Sequence, residues 1–165
     1  MSKIEINKKA PAFNLKDQDD QPHKLSDYLA KPLVIFFYPK DMTSGCTTEA
    51  CDFQELGSKF KRAGANVVGI SILPTKSKKK FAEKEGLKYP LLADDRVNEA
   101  GKPDPLVAAK YGVWIEKSMY GRKYMGIDRT TYLIDADGKV AQRWDKVKVP
   151  GHAEEVLAAV KILTS

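Results

Sequence analysis

The chain has 165 residues, 42% of them apolar and 30% charged, with a formal net charge of +6. This length suits one domain over residues 1–165 with a sizeable core, and the balance excludes a disordered or fibrous chain. No apolar run approaches the roughly 20 residues needed to span a bilayer, so no membrane association is expected.

Residues 1–10 are polar and lack the apolar stretch of a signal peptide, which sets the expectation of a cytoplasmic protein. His23 falls in a polar stretch. The run 33–38, Leu-Val-Ile-Phe-Phe-Tyr, is continuously apolar, as a strand covered on both faces should be. Ala50, Phe53, Leu56 and Phe60 then recur at near-helical spacing, and Gly64 closes that helix. A second buried-strand pattern covers 67–72, so strand, helix and strand imply a right-handed parallel crossover.

A further helix is expected over 77–85, ending at Gly86. At its start lies the densest basic cluster, Lys76, Lys78, Lys79 and Lys80, which reads as a solvated helix face. No aromatic or glycine-rich element lies beside that cluster, so a nucleic-acid partner is not expected. Residues 94–104 are polar and turn-rich and read as a long surface loop. A short helix over 105–111 ends at Gly112. Strands over 130–134 and 139–144 flank Asp137-Gly138, a strong hairpin signal. A last helix over 152–163 places Val156, Leu157, Val160 and Leu163 on one face. Trp114 and Trp144 are expected as packing residues. These elements make an α/β class, a three-layer sandwich with a mixed central sheet flanked by helices.

The chemistry concentrates at Tyr38-Pro39-Lys40-Asp41-Met42-Thr43-Ser44-Gly45-Cys46-Thr47-Thr48-Glu49-Ala50-Cys51, which starts where a buried strand ends and finishes inside a helix. In open α/β sheets that carboxyl end of a central strand is where ligands bind. Thr43 or Ser44 is placed to cap the helix, which puts Cys46 in its first turn. Unpaired N–H groups and the positive end of the helix dipole favour a thiolate there, the nucleophilic form of cysteine. A zinc site would need about four ligands, and only His23 and His152 are available to join the two cysteines, without metal-ligand spacing. Two inert thiols or redox chemistry remain. In an intact helix the Cα atoms of Cys46 and Cys51 would lie about 8.6 Å apart. A disulfide needs less than about 7 Å. The pair is thus a poor staple but a plausible switchable couple.

These residues resemble the peroxiredoxins, in particular the bacterioferritin-comigratory-protein or PrxQ branch. The family's Pro-x-x-x-Thr-x-x-Cys matches Pro39, Thr43 and Cys46, and the branch's Gly-Cys-Thr-Thr-Glu-Ala-Cys matches residues 45 to 51 in full. Downstream, Tyr124-Met-Gly-Ile-Asp-Arg-Thr-Thr-Tyr-Leu-Ile-Asp135 looks like the strand that carries the family's arginine, here Arg129. Lys146-Val-Lys-Val, Gly151-His-Ala-Glu-Glu-Val156 and Ala10-Pro-Ala-Phe13 agree as well. Two departures stand out. The loop 94–104 is longer than the branch usually has, and Ser71-Ile-Leu-Pro74 lacks an expected acidic residue.

The resemblance implies a thioredoxin-like fold and a peroxidase for hydrogen peroxide and alkyl hydroperoxides. Cys46 would be the peroxidatic nucleophile and Cys51 the resolving cysteine. Thr43, Gly45, Cys46 and Arg129 would bind the peroxide, with Pro39 shielding the sulfur. The resemblance also implies an intramolecular Cys46–Cys51 disulfide recycled by thioredoxin, with glutaredoxin as an alternative, no cofactor or metal, and a monomer. Glu49 has two readings side by side, an orienting group or a carboxylate facing the helix dipole. The rival functions are a general disulfide reductase, against which the missing Cys-x-x-Cys counts, and a basic binding protein.

Overall fold

A computed structural model describes residues 2–165. The chain opens with a short hairpin of β1 (Asn14–Lys16) and β2 (Pro22–Lys24) and a 3-10 turn, Leu25–Tyr28. Strand β3 (Leu33–Phe37), buried at every position, leads through the 38–43 loop into α1 (Ser44–Glu55) and α2 (Gly57–Arg62). β4 (Asn66–Ser71), α3 (Thr75–Glu85) and β5 (Leu91–Ala93) follow, then α4 (Leu106–Lys110). A separate hairpin of β6 (Trp114–Met119) and β7 (Arg122–Ile127) precedes β8 (Thr130–Ile134), β9 (Val140–Trp144) and α5 (His152–Thr164).

Seven strands form one mixed sheet in the order β2-β1-β5-β4-β3-β8-β9. β3, β4 and β5 run parallel, while β8 lies antiparallel to β3 and β9 antiparallel to β8. Alternate residues of β3 feed opposite faces, because strand side chains have a period of two. Val34 and Phe36, with Tyr38 just beyond the strand, join Phe53, Phe60, Phe81 and Val156 beneath the helices of one face. Leu33, Ile35 and Phe37 join Phe13, Val107, Tyr111 and Tyr132 on the other. The three layers and the mixed sheet read from the sequence are therefore present.

Three expectations change in detail. The helix through Ala50 and Phe60 is two helices, broken at Leu56 (φ −89°, ψ 4°), where Gly57 supplies a weak helix former. The β6–β7 hairpin has too many exposed polar positions to show a strand pattern in the sequence. The loop 94–104 is at the surface but closed on itself. Val97 pairs with Pro103, and Arg96 Nη2 lies 3.1 Å from Asp104 Oδ2. Its first residue, Asp94, is buried and accepts the Ala108 N–H of α4 at 2.7 Å.

Candidate active site

β3 ends at the edge of the sheet's parallel half, and Pro39, half-buried, turns the chain away from it. The loop passes through Met42, a non-glycine residue at φ 63°, before Thr43 adopts the extended N-cap conformation of α1. The first intrahelical bond runs from Thr47 N to Thr43 O (2.8 Å). Helix geometry therefore leaves the N–H groups of Ser44, Gly45 and Cys46 without helical acceptors. The expected side-chain cap is absent. The Thr43 hydroxyl instead donates to Lys40 O at 3.1 Å, because the loop folds that carbonyl back over the helix start.

Cys46 lies in this first turn and is 1% exposed. Its sulfur accepts a hydrogen bond from Arg129 Nη2 at 3.2 Å, and Arg129 Nη1 donates to Glu49 Oε1 at 2.6 Å. Register explains the meeting: Phe37 of β3 pairs with Thr130 of β8, so Arg129 emerges beside the end of β3. Gly45 borders the same guanidinium, since a Cβ there would sit 3.5 Å from Nη2. Burial opposes the Arg129 charge, but the nearby Glu49 and Cys46 charges outweigh it and hold the guanidinium more firmly protonated. Burial pushes the Glu49 carboxyl up to about 7, even though Arg129 pulls it down. Its Oε2 has no hydrogen-bond partner among the described residues. Of the two readings of Glu49, the geometry supports the orienting one: a single carboxylate fixes one arm of the arginine that meets the sulfur.

Cys51 sits on the same helix, part-buried, with its thiol directed to Glu85 Oε1 of α3 at 3.8 Å. Burial first, then the Glu85 charge, raises its pKa. Both cysteines are free thiols in an intact helix. Pro39, Thr43, Gly45, Cys46, Glu49 and Arg129 are thus gathered at one end of the sheet, and Cys51 lies apart from them along α1.

One group escaped sequence reasoning. Lys78, read as part of a solvated basic face, is fully buried. Its ammonium donates to Ser71 Oγ at 2.7 Å and to Asp41 Oδ2 at 3.4 Å, and lies 5.5 Å from the Tyr38 ring centre. Asp41 also accepts from Tyr38 OH (2.5 Å) and Ser77 Oγ (2.8 Å). Burial lowers the Lys78 pKa, against the pull of Asp41. This network pins the loop that carries Pro39 and Thr43. The signal was in the spacing, since Lys78 shares a helix face with Phe81 and Ala82. The remaining histidines serve packing and hydrogen bonding. His152 bonds Thr131 and Glu155 at the start of α5, and His23 bonds Asp17 and Tyr28. Trp114 and Trp144 pack against the two cores, as expected.

The chain is similar to known proteins in sequence and in fold. The AhpC/TSA family model matches residues 6–143. Peroxiredoxin Bcp of Bacillus subtilis is 43% identical over 158 residues, 96% of either chain. A solved structure bearing on the alkyl peroxide reduction activity of Xanthomonas campestris bacterioferritin comigratory protein superposes with a TM-score of 0.84 at 39% identity, covering 93% of this chain and 92% of that one. PrxQ of Xylella fastidiosa matches over both full chains with a TM-score of 0.89 and 34% identity.

Proposed function

The chain belongs to the AhpC/TSA family, as a thiol-dependent peroxidase of the Bcp/PrxQ kind with a thioredoxin-like fold, and from that premise we propose that Cys46 is its peroxidatic residue and Cys51 its resolving one. The observation that carries the assignment is the Arg129 guanidinium, which bonds the Cys46 sulfur with one arm and Glu49 with the other.

The Cys46 thiolate attacks one oxygen of hydrogen peroxide or an alkyl hydroperoxide. A sulfur–oxygen bond forms, the O–O bond breaks, and hydroxide or alkoxide leaves and takes up a proton. Charge moves from sulfur to the departing oxygen, so donors fixed along that line stabilise the transition state. Arg129 Nη2 is one such donor, and the free N–H groups of Gly45 and Cys46 are others. Because the Thr43 hydroxyl already donates to Lys40 O, its lone pairs are left to accept the peroxide O–H. Pro39 offers no donor and screens the sulfur from water.

The sulfenic acid on Cys46 is the reversible first rung of cysteine oxidation. Cys51 condenses with it, releasing water and forming the Cys46–Cys51 disulfide. A dithiol protein, thioredoxin or else glutaredoxin, then restores both thiols. The cycle needs no metal or other cofactor. An intramolecular pair needs no second subunit, and we read residues 1–165 as one domain that acts as a cytoplasmic monomer.

The test is peroxide consumption by the reduced protein beside variants. Cys46→Ser should abolish it, and Cys51→Ser should complete one turnover and accumulate sulfenic acid. Arg129→Ala should slow the first turnover by about 10²-fold, the scale of one lost transition-state donor. A first turnover in Cys46→Ser at the wild-type rate would sink the assignment.

A further inference from the structure

Among the described residues the β6–β7 hairpin pairs only with itself and stands outside the seven-stranded sheet. Its register sets Lys117 opposite Tyr124 and Met119 opposite Arg122, so these four side chains share one face. Met119 is 56% exposed, and Tyr124 is also exposed. The tip is the two-residue turn Tyr120-Gly121, both at positive φ (51° and 77°). That turn favours Asn-Gly, and a bulky aromatic is disfavoured in the left-handed region. Tyr120 nevertheless occupies it, and is 99% exposed. The fold gains nothing from burying this ring, and exposed tyrosine and methionine are what protein interfaces enrich.

The hairpin also borders the catalytic cysteine. β7 runs through Ile127 directly into Asp128 and Arg129, whose Nη2 bonds the Cys46 sulfur at 3.2 Å. Lys117 and Arg122 are the charges of this face and both are positive, while the single acid of the hairpin, Glu116, lies on the opposite face, 3.8 Å from Lys123. On a chain of net charge +6, this face repels a second copy of itself and attracts an acidic partner.

We propose that Lys117, Met119, Tyr120, Arg122 and Tyr124 form the docking surface for the folded dithiol protein that reduces the Cys46–Cys51 disulfide, a partner whose surface around its reactive thiol is acidic and partly apolar. This rests on the disulfide cycle proposed above. The partner's thiolate attacks one sulfur of the disulfide, giving a mixed disulfide and releasing the other cysteine as a thiolate. The partner's second thiol then displaces the first and closes its own disulfide. Two electrons and two protons pass to this chain.

Thioredoxin is the probe, with dithiothreitol as a small dithiol that needs no docking. Tyr120→Asn supplies the residue the turn prefers, so the hairpin is kept, and Arg122→Glu reverses one charge. Each should lower the efficiency of thioredoxin-driven turnover about tenfold, and Arg122→Glu should flatten its salt dependence. Reduction by dithiothreitol and the first peroxide turnover should stay at wild-type rates. Equal turnover with thioredoxin in all three proteins overturns the surface, as does an equal loss with dithiothreitol, which would mark the hairpin as structural. If wild type is reduced by dithiothreitol but not by thioredoxin, the recycling reading itself fails and the surface loses its occupant. A dimer of the wild type that Tyr120→Asn dissolves assigns the face to a second copy instead.

Discussion

Glu49 is held between opposing demands. Its Oε1 lies 2.6 Å from Arg129, which favours the carboxylate, while burial at 1% exposure and an unpartnered Oε2 favour the acid. A buried acceptor without a partner costs about 1–3 kcal/mol. The folded pKa of about 7 lies above the ordinary 4.5, so the folded state holds this proton more tightly than the unfolded chain does. The stability it contributes is complete below about pH 4.5 and is lost as pH rises through 7, by roughly 3 kcal/mol. Glu49→Gln cannot titrate and should lack this loss. Urea midpoints of both proteins at pH 5 and pH 8 check it, and an identical drop in the two would refute the assignment.

At the scale of elements, two devices act on α1 and the loop before it. Asp41, Lys78, Tyr38, Ser71 and Ser77 join the 38–43 loop to α3 and β4 through buried polar groups. Breaking a buried ion pair by removing one partner costs about 3–5 kcal/mol, because the other charge is left uncompensated. Lys78→Met should therefore lower the melting temperature sharply and slow peroxide attack. Adding Asp41→Asn should recover much of the loss, and thermal unfolding of the single and double variants measures both. The second device is α1 itself. Cys46 and Cys51 are five residues apart on one helix, too far for a disulfide until at least the first turn unwinds. Oxidation by peroxide should reduce the far-UV helical signal. A disulfide proven by mass with an unchanged spectrum would mean that the helix accommodates the bond in some other way.

For the whole molecule, β3 is the organising element. Its alternate side chains serve both cores, its parallel neighbour β4 anchors the crossover through α1, and its antiparallel neighbour β8 delivers Arg129. Residues from distant parts of the chain thus converge at one end of one strand. Met119, Tyr120, Tyr124 and Met125 of the β6–β7 hairpin are among the large apolar groups left exposed, and no helix among the described residues is long and apolar enough to cross a membrane. With a net charge of +6 opposing self-association, light scattering on the reduced protein should give the mass of one chain, and a dimer mass would contradict that expectation.

The sequence by itself determined the buried strands, the helix that follows the first of them, and the cysteine at that helix start, because periodicity and turn residues act over a few neighbouring positions. It also singled out Arg129 through a motif match, but not what that guanidinium would meet. Only the tertiary structure decided that. The β3–β8 register carries Arg129 across 83 residues of chain to the Cys46 sulfur, and no local pattern encodes such a distance. The same holds for Lys78, whose charge reads as solvent-facing until α3 packs it against Asp41. Glu49 likewise gains its role only from the guanidinium above it. Local chemistry is written in spacing, whereas partnership between distant charges is fixed when the sheet brings them together and water is excluded.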